Sequence, residues 1–146
     1  MSNMRYGRRP WSLRARWTLF AFAAAIASTL AIAARLEPDP RGHGTHEQLG
    51  LSPCAFKALT GRLCPTCGMT TAFAWTVRGR WSEAWSANPA GCGLALLIGP
   101  LAVWLTACAW AGRPLGVRDF GRTLGGLVMT VVILTTAAWL FRMSPL

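Results

Sequence analysis

The chain has 146 residues, of which 53% are apolar and only 14% are charged, and its formal net charge is +10. This length allows one domain, and so apolar a composition is unusual for a water-soluble domain and indicates a membrane protein. The arginines cluster at the ends of apolar runs, so their charge is better explained by orientation in a membrane than by contacts with phosphates. We therefore expect the lipid bilayer as a partner and no nucleic acid.

The first predicted element is an uncharged helix over residues 17–34, which follows a basic N-terminus over residues 1–16. At the helical rise this run is about 27 Å long, close to the bilayer core of about 30 Å. The basic leader, the apolar run and the small residues from Ala31 to Ala34 also resemble a signal peptide with its cleavage site. Because the run is longer than the apolar part of a signal peptide, a retained anchor is favoured over a cleaved leader.

Two further uncharged runs predict transmembrane helices over residues 91–112 and 123–141, joined by a link over 113–122. Five arginines precede the first helix and three lie in the link, and such residues are enriched on the cytoplasmic side. The sequence thus predicts an all-α, multi-pass protein of the cell inner (plasma) membrane with three transmembrane helices. Its N-terminus would be cytoplasmic, and residues 35–90, which we call the cap, would be extracytoplasmic.

A strip of small residues lies on the second predicted helix, where Gly91, Ala95 and Gly99 recur at four-residue spacing. Such strips let helix backbones approach closely in membranes. The strip predicts helix packing, including contact with another membrane protein or self-association of the chain.

Short helical patterns follow a loop in the cap. One helix is predicted to begin at Cys64, where the next residue is a proline suited to the first helical position, and to run to about Arg78. Asn88, again followed by a proline, is predicted to cap the second transmembrane helix. The aromatic residues of these patterns indicate helices that lie in the membrane interface.

Three of the five cysteines lie in the cap, where Cys54, Cys64 and Cys67 form a C-x9-C-x2-C pattern. The other two, Cys92 and Cys108, fall in the second apolar run, where cysteine usually acts as a small apolar residue. Three uses of the cap cysteines stay open at this point.

The first use is a disulfide between two of the three cap cysteines. Thiols outside the cytoplasm tend to oxidise, and closing a loop of about a dozen residues would contribute about 3 kcal/mol. This use leaves the third cysteine unpaired.

The second use is thiol–disulfide exchange, with Cys64 as the nucleophile and Cys67 as the resolving thiol. A helix N-terminus at Cys64 would favour its thiolate. No other catalytic residues are assigned.

The third use is metal binding. Cys54, Cys64 and Cys67 together with His46 or His43 would supply the Cys₃His ligand set of a tetrahedral zinc site. Zinc is the only cofactor that the sequence suggests.

The stretch CAFKALTGRLCPTCGMTTAFAWTVRGRWSEAWSANPAG resembles the signature of a family of small bacterial membrane proteins, the domain of unknown function 2752 family. The family pattern runs roughly C-P-F-x-x-x-T-G-x-x-C-P-x-C-G-x-T-R-A, followed by a basic residue with glycine and then by N-P. The matching residues are Cys54, Phe56, Thr60, Gly61, Cys64, Pro65, Cys67, Gly68, Thr70, Ala72, Arg78, Gly79, Asn88 and Pro89. Thr71 stands where the family often has arginine.

The resemblance implies a helical membrane protein in which the three cap cysteines act as one constellation, and it implies no particular activity. The sequence therefore predicts a non-enzymatic membrane component whose cap is stabilised by a disulfide or a metal. The alternative is a membrane thiol–disulfide oxidoreductase that uses Cys64 and Cys67.

Overall fold

The computed structural model of the protein describes residues 11–117 and 119–143. Its helices are α1 (Leu13–Arg35), a 3₁₀ helix (Thr45–Leu49), α2 (Ala55–Thr60), α3 (Met69–Val77), α4 (Trp81–Ala87), α5 (Pro89–Ala111) and α6 (Phe120–Met143). The described residues form no strand. Three helices, α1, α5 and α6, are long and apolar enough to cross a membrane. The predicted all-α class, with three such helices and a cysteine-bearing segment between the first two, is confirmed.

Part of the charge pattern behind the predicted orientation lies outside the described residues. These residues are Arg5, Arg8, Arg9 and Arg118. The orientation in the membrane thus stays a prediction at this point.

Helices α1 and α5 run antiparallel and form the frame of the fold. At one end, the Trp11 backbone N–H donates a hydrogen bond to the Gly112 carbonyl, 2.8 Å away. At the other end, Ala33 of α1 and Ala95 of α5 are buried together with Phe73 of α3. The whole cap therefore emerges at the end where α1 stops and α5 begins.

The small-residue strip of α5 packs against this chain's own helices. A Cβ atom on Gly91 would lie 3.0 Å from the Ala72 Cβ of α3, and one on Gly99 would meet Leu30 of α1 at 3.8 Å. Ala95 is buried between the same two helices. The close approach that the sequence predicts is thus made within the chain, by α1 and α3.

The short helix α3 is the buried centre of the cap. It packs against α1, α4 and α5, and small side chains such as Ala72 and Ala74 are fully buried there. Helix α4 covers α3 with Ala84 and Ala87 and leaves the large Trp81 exposed. Small residues on the inner faces let these short helices lie close together, which fixes the floor of the cap.

Helix α6 is attached more loosely. Its first residue, Phe120, stacks on Trp104 of α5 with ring centroids 5.3 Å apart and meets Trp11 edge-on at 5.1 Å. Beyond this aromatic cluster, α6 exposes large apolar side chains such as Val128 and Ile133. A surface of this kind suits contact with lipid.

Two arginines cap the C-terminal ends of α1 and α5. The Arg78 guanidinium donates to the carbonyls of Ala33, Ala34 and Leu36 at 3.3, 3.1 and 2.8 Å. At the opposite end, Arg16 donates to the last carbonyls of α5, with its Nε 2.7 Å from the Ala109 oxygen. The last carbonyls of a helix have no partner within it and carry partial negative charge. Each arginine therefore joins a helix end to another part of the chain.

Replacing Arg78 by alanine should lower the free energy of unfolding by about 1–2 kcal/mol, because several helix-end carbonyls lose a charged donor. Arg62→Ala is the matched control, since Arg62 is exposed and its guanidinium makes no hydrogen bond or ion pair among the described residues, so its loss should be within about 0.5 kcal/mol. Unfolding of both variants in mixed micelles measures the difference. Equal losses would contradict the capping role of Arg78.

Candidate metal centre

Three cysteine sulfurs from two segments of the cap meet at one point. Cys54 precedes the first turn of α2, whereas Cys64 and Cys67 lie in the turn before α3. The Cys64 Sγ is 3.5 Å from the Cys54 Sγ and 3.0 Å from the Cys67 Sγ. All three sulfurs lie within 4.8 Å of one another. Cys67 is buried and the other two are half-buried, so the cluster is reached from one side.

Residues 64–67 form a tight turn in place of the predicted start of α3. The Cys67 N–H donates to the Cys64 carbonyl at 3.1 Å, and Gly68 follows with a φ of +83°. Because a left-handed residue interrupts a helix, α3 begins only at Met69. The prediction of a helix from Cys64 is therefore wrong, and Cys64 does not lie at a helix N-terminus.

Gly68 lies where two other backbone segments approach the turn. A Cβ atom at this position would lie 2.5 Å from the Ala87 carbonyl oxygen and 2.6 Å from that of Gly42. Since both neighbours are backbone atoms, they cannot move aside as a side chain can. The absence of a side chain at residue 68 thus lets the turn lie against the end of α4 and the loop before the 3₁₀ helix.

Asn88 connects this turn to α5. Its Oδ1 accepts from the Gly91 N–H at 3.0 Å, as a helix N-cap does. Its Nδ2 donates to the carbonyls of Cys67 at 3.0 Å and Pro65 at 3.3 Å. The side chain is fully satisfied although the residue is only 2% exposed. The sequence predicted that Asn88 is the N-cap of α5, but it did not predict the contact of Asn88 with the cysteine turn.

A pair of buried hydroxyls holds the histidine-bearing loop over α3. The hydroxyls of Thr45 and Thr71 are 2.8 Å apart, and both residues are fully buried. Thr45 also accepts from the Asp39 N–H at 2.9 Å. Thr71, which replaces the arginine frequent in the resembling family, thus has a hydrogen-bonding role here.

The cysteines open onto a cavity of about 630 Å³ between the loop, α2 and the start of α3. Besides the three cysteines, its polar and charged lining consists of Arg41, His43, His46, Glu47, Lys57, Thr66, Thr70 and Thr71. Arg41 is already engaged there, since its guanidinium is 2.6 Å from an Asp39 oxygen and 3.8 Å from one of Glu47. The bond to Arg41, opposed by burial, lowers the pKa of the Asp39 carboxyl to about 2.

Both cap histidines lie on the cavity wall, but neither belongs to the group of three sulfurs. The His43 Nε2 contacts the Lys57 Nζ, and the His43 Nδ1 is buried without a hydrogen-bond partner among the described residues. His46, the other histidine of the predicted ligand set, lies in the short 3₁₀ helix. Among the described residues, His43 therefore has one ring nitrogen, Nδ1, that is free to bind a further group.

The pKa values of the two turn cysteines shift in opposite directions. Burial alone would raise the pKa of the Cys64 thiol, but hydrogen bonds outweigh it and lower the pKa to about 7. These bonds come from Thr66 and from the thiols of Cys67 and Cys54. For Cys67, burial followed by the hydrogen bond with Cys64 raises the pKa to about 12. The thiolate, the form that binds metals and attacks disulfides, thus forms more readily at Cys64 than at Cys67.

Cys92 and Cys108 lie apart from this centre. Both are buried in α5, and Cys92 packs against Ala72, Ala84 and Ala87. The Cys108 Sγ accepts a hydrogen bond from the Leu115 N–H at 3.3 Å.

Residues 54–105 match a family described as "Protein of unknown function (DUF2752)". This segment, about a third of the chain, is thus similar to that family. The DUF2752 match contains all three cap cysteines, α2 to α4 and most of α5. No curated protein and no solved structure matches the chain.

Replacing Gly68 by alanine should displace the cysteine turn, because the new methyl group overlaps two backbone carbonyls. Gly61→Ala is the matched control, since Gly61 also has a positive φ, +69°, but nothing lies within 4 Å of its Cβ position. The control should lose only about 1 kcal/mol of stability from left-handed strain, and the Gly68 variant should lose at least about 3 kcal/mol from strain plus overpacking. Unfolding in mixed micelles compares them, and equal losses would contradict this account of Gly68.

Proposed function

We propose that this protein is a non-enzymatic membrane component whose cap is held together by a zinc ion bound to Cys54, Cys64 and Cys67. The observation that carries the proposal is the meeting of three sulfurs from two separate segments. A disulfide uses two sulfurs and leaves the third crowded beside them. A soft metal ion uses all three, and thiolates favour zinc or copper(I) among the common metals.

The distances between the sulfurs fit such an ion. In a tetrahedral zinc site with Zn–S bonds of about 2.3 Å, neighbouring sulfurs lie about 3.8 Å apart. The cap sulfurs are 3.0 and 3.5 Å apart in two pairs, and all lie within 4.8 Å. Shifts of less than about 1 Å would bring each pair to the spacing of a thiolate site.

The consequence of binding would be to fasten residues 51–61 to the rest of the cap. This segment contains α2, which packs against no other described helix and buries none of its residues. Among the described residues, two side-chain hydrogen bonds join this segment to the opposite side of the cavity. They are the contacts of Cys54 with Cys64 and of Lys57 with His43. Binding energy at a structural zinc site acts as folding energy, so the ion would order this segment.

The fourth zinc ligand is proposed to be His43. It lines the same cavity as the cysteines, and its buried Nδ1 has no partner among the described residues. A neutral imidazole nitrogen is a common zinc ligand. His46 on the same wall is the alternative that the sequence suggested, and the two histidines can be tested separately.

We also propose that the cap is extracytoplasmic and the N-terminus cytoplasmic. The described arginines Arg14, Arg16, Arg113 and Arg122 lie at the end of the α1–α5 pair opposite the cap, which supports a cytoplasmic location for that end. Lys57 is the only lysine in the sequence. A membrane-impermeant amine reagent added to intact cells should therefore modify Lys57, with Lys57→Arg as the control. Labelling of the N-terminal amine alone would indicate the opposite orientation.

Thiol–disulfide exchange is the second candidate, and the contact of Cys64 with both other cap sulfurs favours it. The Cys64 thiolate would attack a partner disulfide, form a mixed disulfide and release one partner thiolate. The Cys67 or Cys54 thiolate would then attack the Cys64 sulfur, which forms an internal disulfide and releases the second partner thiol. The partner disulfide is reduced by two electrons and the cap dithiol is oxidised by two.

Protein purified without chelator should contain about one zinc ion per chain, and alanine at Cys54, Cys64 or Cys67 should remove it. Cys92→Ala is the control and should keep full zinc, because Cys92 of α5 is buried against alanines of α3 and α4, away from the cluster. His43→Ala should weaken zinc affinity by at least about 10-fold, because losing a direct ligand should cost no less than losing a residue that only orients one. His46→Ala should change the zinc affinity little. Metal analysis and chelator titration provide these values.

The same preparation separates the two candidates. Metal-free protein whose mass is lower by two hydrogen atoms, with one cap thiol open to alkylation, would contradict the zinc site and support thiol–disulfide exchange.

A further inference from the structure

We propose that α2 is a membrane-docking helix, whose Phe56 and Leu59 side chains insert among the lipid headgroups of the bilayer that the long helices enter. This inference goes beyond the zinc site and does not depend on it. It concerns the outer side of the 51–61 segment, which faces away from the cysteines.

The two sides of α2 differ in what they contact. Successive side chains of an α-helix are about 100° apart around its axis, so Lys57 and Ala58 lie on one side and Phe56 and Leu59 on the other. Lys57 and Ala58 line the cysteine cavity. Phe56 is 39% exposed and Leu59 is 86% exposed. The apolar side of the helix thus points out of the protein.

The apolar surface continues from this segment to the end of α1. Leu51 and Leu49 are also half exposed or more, and Leu49 lines a groove of about 320 Å³ together with Ile32 and Leu36. Ile32 lies in the last turn of a helix that is apolar enough to cross a membrane. The 51–61 segment therefore begins beside the last turn of α1, where we expect the bilayer surface to lie.

The charge next to α2 favours anionic lipid headgroups. Arg62 follows the last residue of α2 by two positions, and no acidic residue lies between Glu47 and Glu83 in the sequence. Basic residues flanking an inserted apolar face strengthen binding to anionic membrane surfaces.

A six-residue helix offers far less surface than the total of about 1,200 Å² typical of stable protein–protein interfaces. The bilayer, which is already present beside the segment, is the occupant that this small apolar face fits.

The test measures amide hydrogen exchange of residues 55–60 in the full chain, reconstituted in nanodiscs of mixed anionic and zwitterionic lipid. Leu59→Gln should accelerate exchange about tenfold, because withdrawing a leucine partly from water is worth about a power of ten in an equilibrium. Leu59→Met is the matched control and should exchange like the wild type, since leucine, methionine and glutamine have similar helix propensities. Replacing the anionic lipid by zwitterionic lipid should accelerate exchange in the wild type and to a smaller extent in Leu59→Gln.

Equal exchange in the wild type and Leu59→Gln would overturn the proposal, as would wild-type exchange as fast as that of an unprotected peptide, the result expected if α2 binds another protein instead. Zinc content is measured in the same samples. Fast exchange at α2 with full zinc content contradicts docking alone, whereas slow, Leu59-dependent exchange without zinc contradicts the metal centre alone.

Discussion

The fold of the cap depends on one side chain that is shared between a loop and a long helix. Asn88 uses its oxygen to cap α5 and its amide nitrogen to hold two carbonyls of the cysteine turn. An aspartate could make the first contact but has no hydrogen to donate to the second, and a serine has a single O–H for two carbonyls. Because one buried amide makes both, the position of Cys64 and Cys67 is fixed relative to the membrane-crossing frame.

The rest of the structure extends this link between cap and frame. Arg78, at the end of α3, donates to the last carbonyls of α1, while small residues let α3 lie against both α1 and α5. Two of the three cysteines are thus held by a rigid base. The third, Cys54, belongs to a segment that has almost no packing of its own, so the same sulfur cluster joins the most rigid and the least supported parts of the cap.

The sequence predicted those features that depend on neighbouring residues. Apolar length and charge were enough to find α1, α5 and α6, and the Asn-Pro pair was enough to find the start of α5. The turn at residues 64–67 was missed because Gly68 takes its left-handed conformation where the Gly42 and Ala87 carbonyls, distant in sequence, close in on it. The place of the two histidines on the cavity wall also could not be predicted, since the contact between Thr45 and Thr71 positions their loop. Both features depend on contacts between segments far apart in the chain.

The loose attachment of α6 has a consequence for biosynthesis. Among the described helices α6 packs only against α5, whereas every residue that positions the three cap sulfurs precedes residue 92. Once α5 has emerged from the ribosome, all residues of the α1–α5 pair and of the cap have been synthesised. The sulfur cluster can therefore assemble co-translationally, before the last helix leaves the translocation machinery, and an immature chain would already display its cysteines to the compartment that receives the cap.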